Sequence, residues 1–238
     1  MLPQNRYSTV TRDSDRIQTT TAFMSNVYLW MMVGVTITGL TAYYVASRSD
    51  LIQLFTQNRF IFFGLMVLQI LMVLGLSAFV QRMSVGVASA MFALYTTSVG
   101  LTFSVLFLVY TMQSISVAFF VTAFSFAGLS AFAYLTKRDL GPVGSFCMMG
   151  LFGLIGIMVI SWFVPSLLGN STQYVISALG ILIFAGLTAY DTQRIKSLQL
   201  QMASSDSATK NAIYGALVLY LDFINLFINI LFFVGDRR

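Results

Sequence analysis

Seven stretches of the chain, 25–46, 60–80, 85–110, 115–135, 142–164, 172–190 and 212–234, are apolar for long enough to cross a bilayer as helices. A spanning helix needs about 20 such residues, and no other feature of the sequence narrows the available folds so far. Only 9% of the 238 residues are charged and 58% are hydrophobic, whereas soluble domains carry about 25% charged residues. The expected fold is an all-α integral membrane protein, a bundle of seven transmembrane helices.

Charges and loop formers mark the ends of these runs. Arg48 and Arg59 separate the first two, Arg82 closes the second, and Lys137-Arg138-Asp139 stops the fourth. The third and fourth meet at an uncharged turn, Thr111-Met-Gln-Ser114. Pro142 suits a first helical turn and Pro165 ends the fifth run. Residues 1–24 are polar and lack the apolar core of a signal peptide, so they are expected as a flexible cytoplasmic tail before an uncleaved first span. Residues 25–235 form the membrane domain, 236–238 the C-terminal end, and the longest polar linker, 192–211, is too short for a soluble domain.

The formal charge of +5 does not read as a nucleic-acid surface, because the thirteen Lys and Arg lie one to three at a time between apolar runs. They read as a topology signal. With the N-terminus inside, nine fall on the cytoplasmic side and four on the other. The N-terminus is therefore expected in the cytoplasm and the C-terminus outside.

Histidine is absent, and all eight acids are aspartates. Zinc sites of the usual kind, Ser-His-Asp triads and Cys-His pairs all use an imidazole, so no enzyme is expected. Cys147 stands alone in an apolar run and reads as a packing residue. No lysine lies within a span as bounded above, which excludes a retinal-type Schiff base, and no phosphate-binding loop of the G-x-x-x-x-G-K type occurs. No cofactor is implied.

The anomaly is Asp222, alone in the last apolar run. A carboxylate at mid-membrane costs roughly 2.5–3.5 kcal/mol, so an acid kept there is expected to be protonated, paired, or facing water or an ion. Asn225 and Asn229 follow at i+3 and i+7 and share its helix face, which must point into the bundle. Interhelical hydrogen bonding is the plainer role for the two asparagines; lining a pore is the alternative. Asp191 closes the sixth run and is the candidate partner, with Thr188 and Gly180 on the stripe leading to it, although beside Arg194 and Lys196 it also suits an interfacial charge. Two carboxylates brought together in a low-dielectric site cannot both ionise cheaply, so they would share a proton and act as a latch sensitive to pH. Arg82 is the candidate cation for this pair, with membrane anchoring as its plainer role. Gly150, Gly153 and Gly156 on the fifth span, and Thr96, Thr97, Ser98, Gly100, Thr102 and Ser104 on the third, read as close-packing positions.

The segments Phe184-Ala-Gly-Leu-Thr-Ala-Tyr-Asp-Thr-Gln-Arg-Ile-Lys196 and Leu219-Tyr-Leu-Asp-Phe-Ile-Asn-Leu-Phe227 resemble the sixth- and seventh-helix motifs of the Bax inhibitor-1, or transmembrane Bax inhibitor motif, family. The stretch Gly128-Leu-Ser-Ala-Phe-Ala-Tyr-Leu-Thr-Lys-Arg-Asp-Leu-Gly141 is similar to its signature region, and the likeness extends over residues 20–238, closest to the bacterial inner-membrane branch. The resemblance implies a central last helix wrapped by the other six, and a pH-sensitive calcium leak. Asp191 and Asp222 match the family's pH-sensing pair, with Arg82 as the match for its linked arginine.

The partners expected are the lipid bilayer and a permeant cation, Ca²⁺ by the resemblance, held at most weakly and transiently at Asp191 and Asp222. A proton-coupled secondary transporter is the alternative, as is a non-transporting regulator that binds a membrane protease or stress factor.

Overall fold

The computed structural model describes residues 5–48, 50–53, 58–164, 169–198 and 205–237. Seven helices in it are long and apolar enough to cross a membrane, with qualifying stretches of 21 to 29 residues. They are α1 (Asn5–Ala46), α2 (Arg59–Phe79), α3 (Val85–Phe103), α4 (Met112–Leu135), α5 (Gly141–Phe163), α6 (Asn170–Leu198) and α7 (Ser205–Val234).

Short polar side chains begin several of them. Asn58 Oδ1 accepts from the N–H groups of Phe60 and Ile61, Ser84 Oγ from Val87 N–H, and Thr111 Oγ1 from Ser114 N–H. Each occupies donors that a helix start leaves open, and in a membrane no water would replace them. Pro142 falls in the first turn of α5. α3 is interrupted after Phe103 and resumes for one turn, Leu106–Val109, before the chain extends at Tyr110.

α7 lies at the centre. In its most apolar stretch 56% of residues are buried, against 6% for α2. It packs against α6, α1, α4 and α3, and more lightly against α2. α5 rests instead on α6, so α7 has five principal neighbours rather than six. Around α7, Phe92 and Tyr95 of α3 meet Tyr220 edge to face, and Phe119 and Phe126 of α4 meet Phe223 in the same way. The outer faces carry large apolar residues, such as Phe60 at 89% and Phe124 at 85% exposure, as lipid contact requires.

Three boundaries differ from expectation. α1 begins at Asn5, so helix runs back through residues expected as a flexible tail, and Phe23 and Met24 already belong to the core. No glycine or proline stands between Asn5 and Phe23 to stop it. α6 continues to Leu198, so Asp191 lies inside the helix rather than at its end, and α7 starts by Ser205, so 192–198 and 205–211 of the expected linker are helical. Lys196 and Lys210 consequently lie within helices, which removes the premise on which a Schiff-base lysine was excluded. Of the three α5 glycines expected at close-packing positions, Gly150 faces Ile183 of α6, whereas Gly153 and Gly156 open onto empty space.

Candidate functional site

The site lies in the seam between α6 and α7, the most extensive helix contact in the bundle. Gly180 is so close to the Asn229 side chain that a Cβ would overlap it, and Gly215 similarly packs against Ile195. These two contacts set an antiparallel register in which Asp222 stands level with Leu187 and Thr188, about one turn from Asp191. Asp222 is 5% and Asp191 9% exposed. Asp222 Oδ2 accepts no hydrogen bond, alone among the buried side-chain oxygens and nitrogens of the described residues.

The cation beside the pair is Arg194. Its Nη1 lies 3.9 Å from Asp191 Oδ1, one turn along the same helix. At 3.9 Å and with the arginine side chain 53% exposed, the attraction is a weak one. Arg82 is placed differently. It sits exposed in the 3₁₀ turn Val80–Arg82 and, among the described residues, makes no ion pair with either aspartate. Its neighbour Gln81 instead ties this turn to the start of α7, bonding Asn211 through its amide and accepting from Lys210 Nζ through its carbonyl.

Thr188, Asn225 and Asn229 lie on the seam, but each donates back to a carbonyl of its own helix. Thr188 Oγ1 donates to Phe184 O at 2.7 Å, Asn225 Nδ2 to Leu221 O at 2.8 Å, and Asn229 Nδ2 to Asn225 O at 2.8 Å. The carbonyl four residues back is always within reach in a helix, so these donors need no partner on a neighbouring helix. The third-span hydroxyls behave alike, with Thr96, Thr97, Ser98, Thr102 and Ser104 all bonding carbonyls three or four residues behind them.

Other residues position the site without having stood out as candidates. Thr192 Oγ1 meets Ser130 Oγ of α4 at 3.3 Å. Gln193 clamps the α4–α5 turn, accepting from Leu140 N–H and donating to Arg138 O, both at 2.9 Å. Lys196 Nζ donates to Tyr134 O at 2.6 Å and sits 4.3 Å from the centre of the Tyr134 ring. All three belong to the motif Asp191-Thr-Gln-Arg-Ile-Lys196, where only the aspartate had suggested a role. On the opposite face of α7, Tyr220 OH, Thr38 Oγ1 and Thr96 O form a buried chain with links of 2.6 and 2.8 Å that joins α7, α1 and α3. The C-terminal end of α7 is also tied down: Asp236 N–H donates to Ser114 Oγ, and Arg237 Nη2 to Gln173 Oε1 at 2.9 Å.

A lipid-facing bundle of seven helices, with a pair of buried aspartates against its central helix, is a multi-pass α-helical membrane protein. The family described as inhibitor of apoptosis-promoting Bax1 matches residues 20–238, and the chain belongs to this Bax inhibitor-1 family. It is 39% identical over 218 residues to the inner membrane protein YbhL of Escherichia coli K12, covering 91% of this chain and 92% of that one. An uncharacterized protein of Deinococcus radiodurans is 38% identical over 224 residues, covering 94% and 93%, and one of Borreliella burgdorferi is 35% identical over 231, covering 96% and 98%.

Proposed function

We propose that this protein is a passive, pH-sensitive cation leak of a bacterial inner membrane, with Ca²⁺ as the favoured permeant, latched by a proton shared between Asp191 and Asp222. The observation that carries this reading is the seam itself: Asp191 and Asp222 stand about one helical turn apart across it, both nearly dry, and Asp222 Oδ2 has no hydrogen-bond donor. An unpaired polar atom costs about 1–3 kcal/mol in such a place, and more when charged. A single proton held between the two groups relieves that cost, because one oxygen then donates to the other.

Neither aspartate lines the lateral crevices or the cavity at the C-terminal end of α7. The conformation is accordingly read as closed, and conduction as requiring α6 and α7 to part. Loss of the shared proton leaves two repelling carboxylates, and gain of a second leaves no anionic acceptor. Either change weakens the latch. Two carboxylates with nearby Thr188 supply fewer oxygens than the six to eight that Ca²⁺ takes, which suits passage better than storage. The Lys and Arg distribution supports an N-terminus in the cytoplasm, and the printed name of YbhL supports the inner membrane.

The test is Ca²⁺ flux into proteoliposomes across roughly pH 5 to 8 for the wild type, Asp191→Asn and Asp222→Asn. The wild type is expected to vary with pH and both variants to be flat. One pH profile common to all three would overturn the latch. Accumulation of a solute against its gradient, driven by a proton gradient, would instead identify a coupled transporter.

A further inference from the structure

α1 and α4 both pack against α7 yet leave a gap between them. A crevice of about 870 Å³ lies there, walled by residues such as Met31 and Val35 of α1 and Ala123 and Ala127 of α4, with Phe223 of α7 at its floor. A second crevice of about 370 Å³ shares Val35, Phe119 and Phe223 with the first and reaches Tyr43 and Met112. Together they trace a slot from Thr21 to Tyr43 along α1. At about 1.5 Å per residue this is about 33 Å, close to the roughly 30 Å depth of a bilayer's hydrocarbon core. The rims are exposed, with Met32 at 66% and Leu135 at 76%. The slot opens sideways, where lipid lies.

Its chemistry selects the occupant. The lining is almost wholly apolar, so ordered water has few partners in it. One end is different. Thr21 Oγ1 and Tyr134 OH meet there at 3.2 Å, and the Lys196 ammonium sits 4.3 Å from the Tyr134 ring centre. Lys196 Nζ donates one hydrogen bond, to Tyr134 O, and an ammonium has three donors to give. Lys137 and Arg138 are exposed just beyond the end of α4, beside a single acid, Asp139. A long apolar slot ending at a group of cations is complementary to an anionic amphiphile, not to another apolar helix.

We propose that the slot between α1 and α4 is a binding site for an anionic phospholipid, with an acyl chain against Phe223 and the headgroup phosphate at Lys196, Lys137 and Arg138. The bound chain braces Phe223, the residue after Asp222, and so supports α7 beside its seam with α6. This site stands independently of which ion the protein conducts.

The experiment uses the full chain in phosphatidylethanolamine vesicles doped with phosphatidylglycerol bearing a photoactivatable acyl chain, and maps the labelled peptides by mass spectrometry. Label is expected on Met24–Thr36 and Phe119–Tyr134 at about fivefold above the lipid-facing surface of α2, the preference that roughly one favourable cation supplies. Unlabelled phosphatidylglycerol should compete and phosphatidylethanolamine should not. Ala127→Trp, which fills the slot from an exposed position, should remove the excess label, and Lys196→Gln should reduce the preference for the anionic lipid. Label no stronger than on α2, equal competition by phosphatidylethanolamine, unchanged labelling of a correctly folded Ala127→Trp, or occupation of the slot by a second copy of the chain would each overturn the proposal. The competition requires no variant, so misfolding of Ala127→Trp does not remove the test.

Discussion

The hydroxyl chain behind Asp222 allows a quantitative test of what holds the central helix. Thr38 Oγ1 lies 2.8 Å from Thr96 O and 2.6 Å from Tyr220 OH. Its one proton goes to the carbonyl, so the tyrosine must donate to the threonine. Thr38 is 3% and Tyr220 0% exposed, so no solvent substitutes for either. Tyr220→Phe removes a donor and leaves Thr38 bonded to Thr96 O, at a cost of about 0.6–1.5 kcal/mol. Thr38→Val strands the Tyr220 hydroxyl in an apolar site and should cost about 1–3 kcal/mol. The double variant has no stranded hydroxyl, so it should be no less stable than Thr38→Val alone, giving a coupling of about 1 kcal/mol. Unfolding by denaturing detergent in mixed micelles, followed by circular dichroism, measures all three. If the two single costs simply add, Tyr220 and Thr38 do not interact and the assignment of this chain as the tie between α7, α1 and α3 is wrong.

Further outcomes follow from the same contacts. Gly180→Leu should destabilise by about 1–3 kcal/mol or more, because Asn229 occupies the space a side chain would need, whereas Gly153→Leu on open surface should be near neutral; thermal unfolding in detergent distinguishes them. Gln193→Leu removes the acceptor of Leu140 N–H, and amide exchange at Leu140 should accelerate while the middle of α7 remains protected. Arg194→Gln should alter the pH profile of Ca²⁺ flux in proteoliposomes and Arg82→Gln should leave it unchanged, since of the two it is Arg194 that lies by Asp191. In a Cys147→Ser background, a membrane-impermeant maleimide added to intact cells should label Ser47→Cys and spare Thr136→Cys; the reverse pattern would invert the proposed orientation.

Much of the site was legible as chemistry but not as contact. Asp222 identified itself by energy, since a lone acid in an apolar run must face inward whatever the neighbouring helices do. Asp191 was ambiguous because the run of apolar residues stops at it. Helix continues past it since Thr192, Gln193 and Lys196 find partners on Ser130, Arg138, Leu140 and Tyr134. Those partners lie more than fifty residues away in the chain, beyond the reach of local patterning. The same limit applies to Arg82, because only packing says what its turn reaches, whereas Arg194 meets Asp191 as a neighbour three residues along once the helix continues past the aspartate.

Seven helices, their approximate extents and the inward face of Asp222 are properties of the sequence, because a bilayer demands long apolar runs and tolerates few charges within them. Which polar side chains bond across helices and which bond back to their own turn depends on distances between helices. Asn225 and Asn229 share the face of Asp222 yet bond within α7, whereas Gln193 crosses to the α4–α5 turn. Gly150 meets Ile183 and Gly153 meets nothing, though both stand on one helix as the same residue. A sequence specifies the chemical groups that must be satisfied; the packing of helices around α7 selects the partner that satisfies each one.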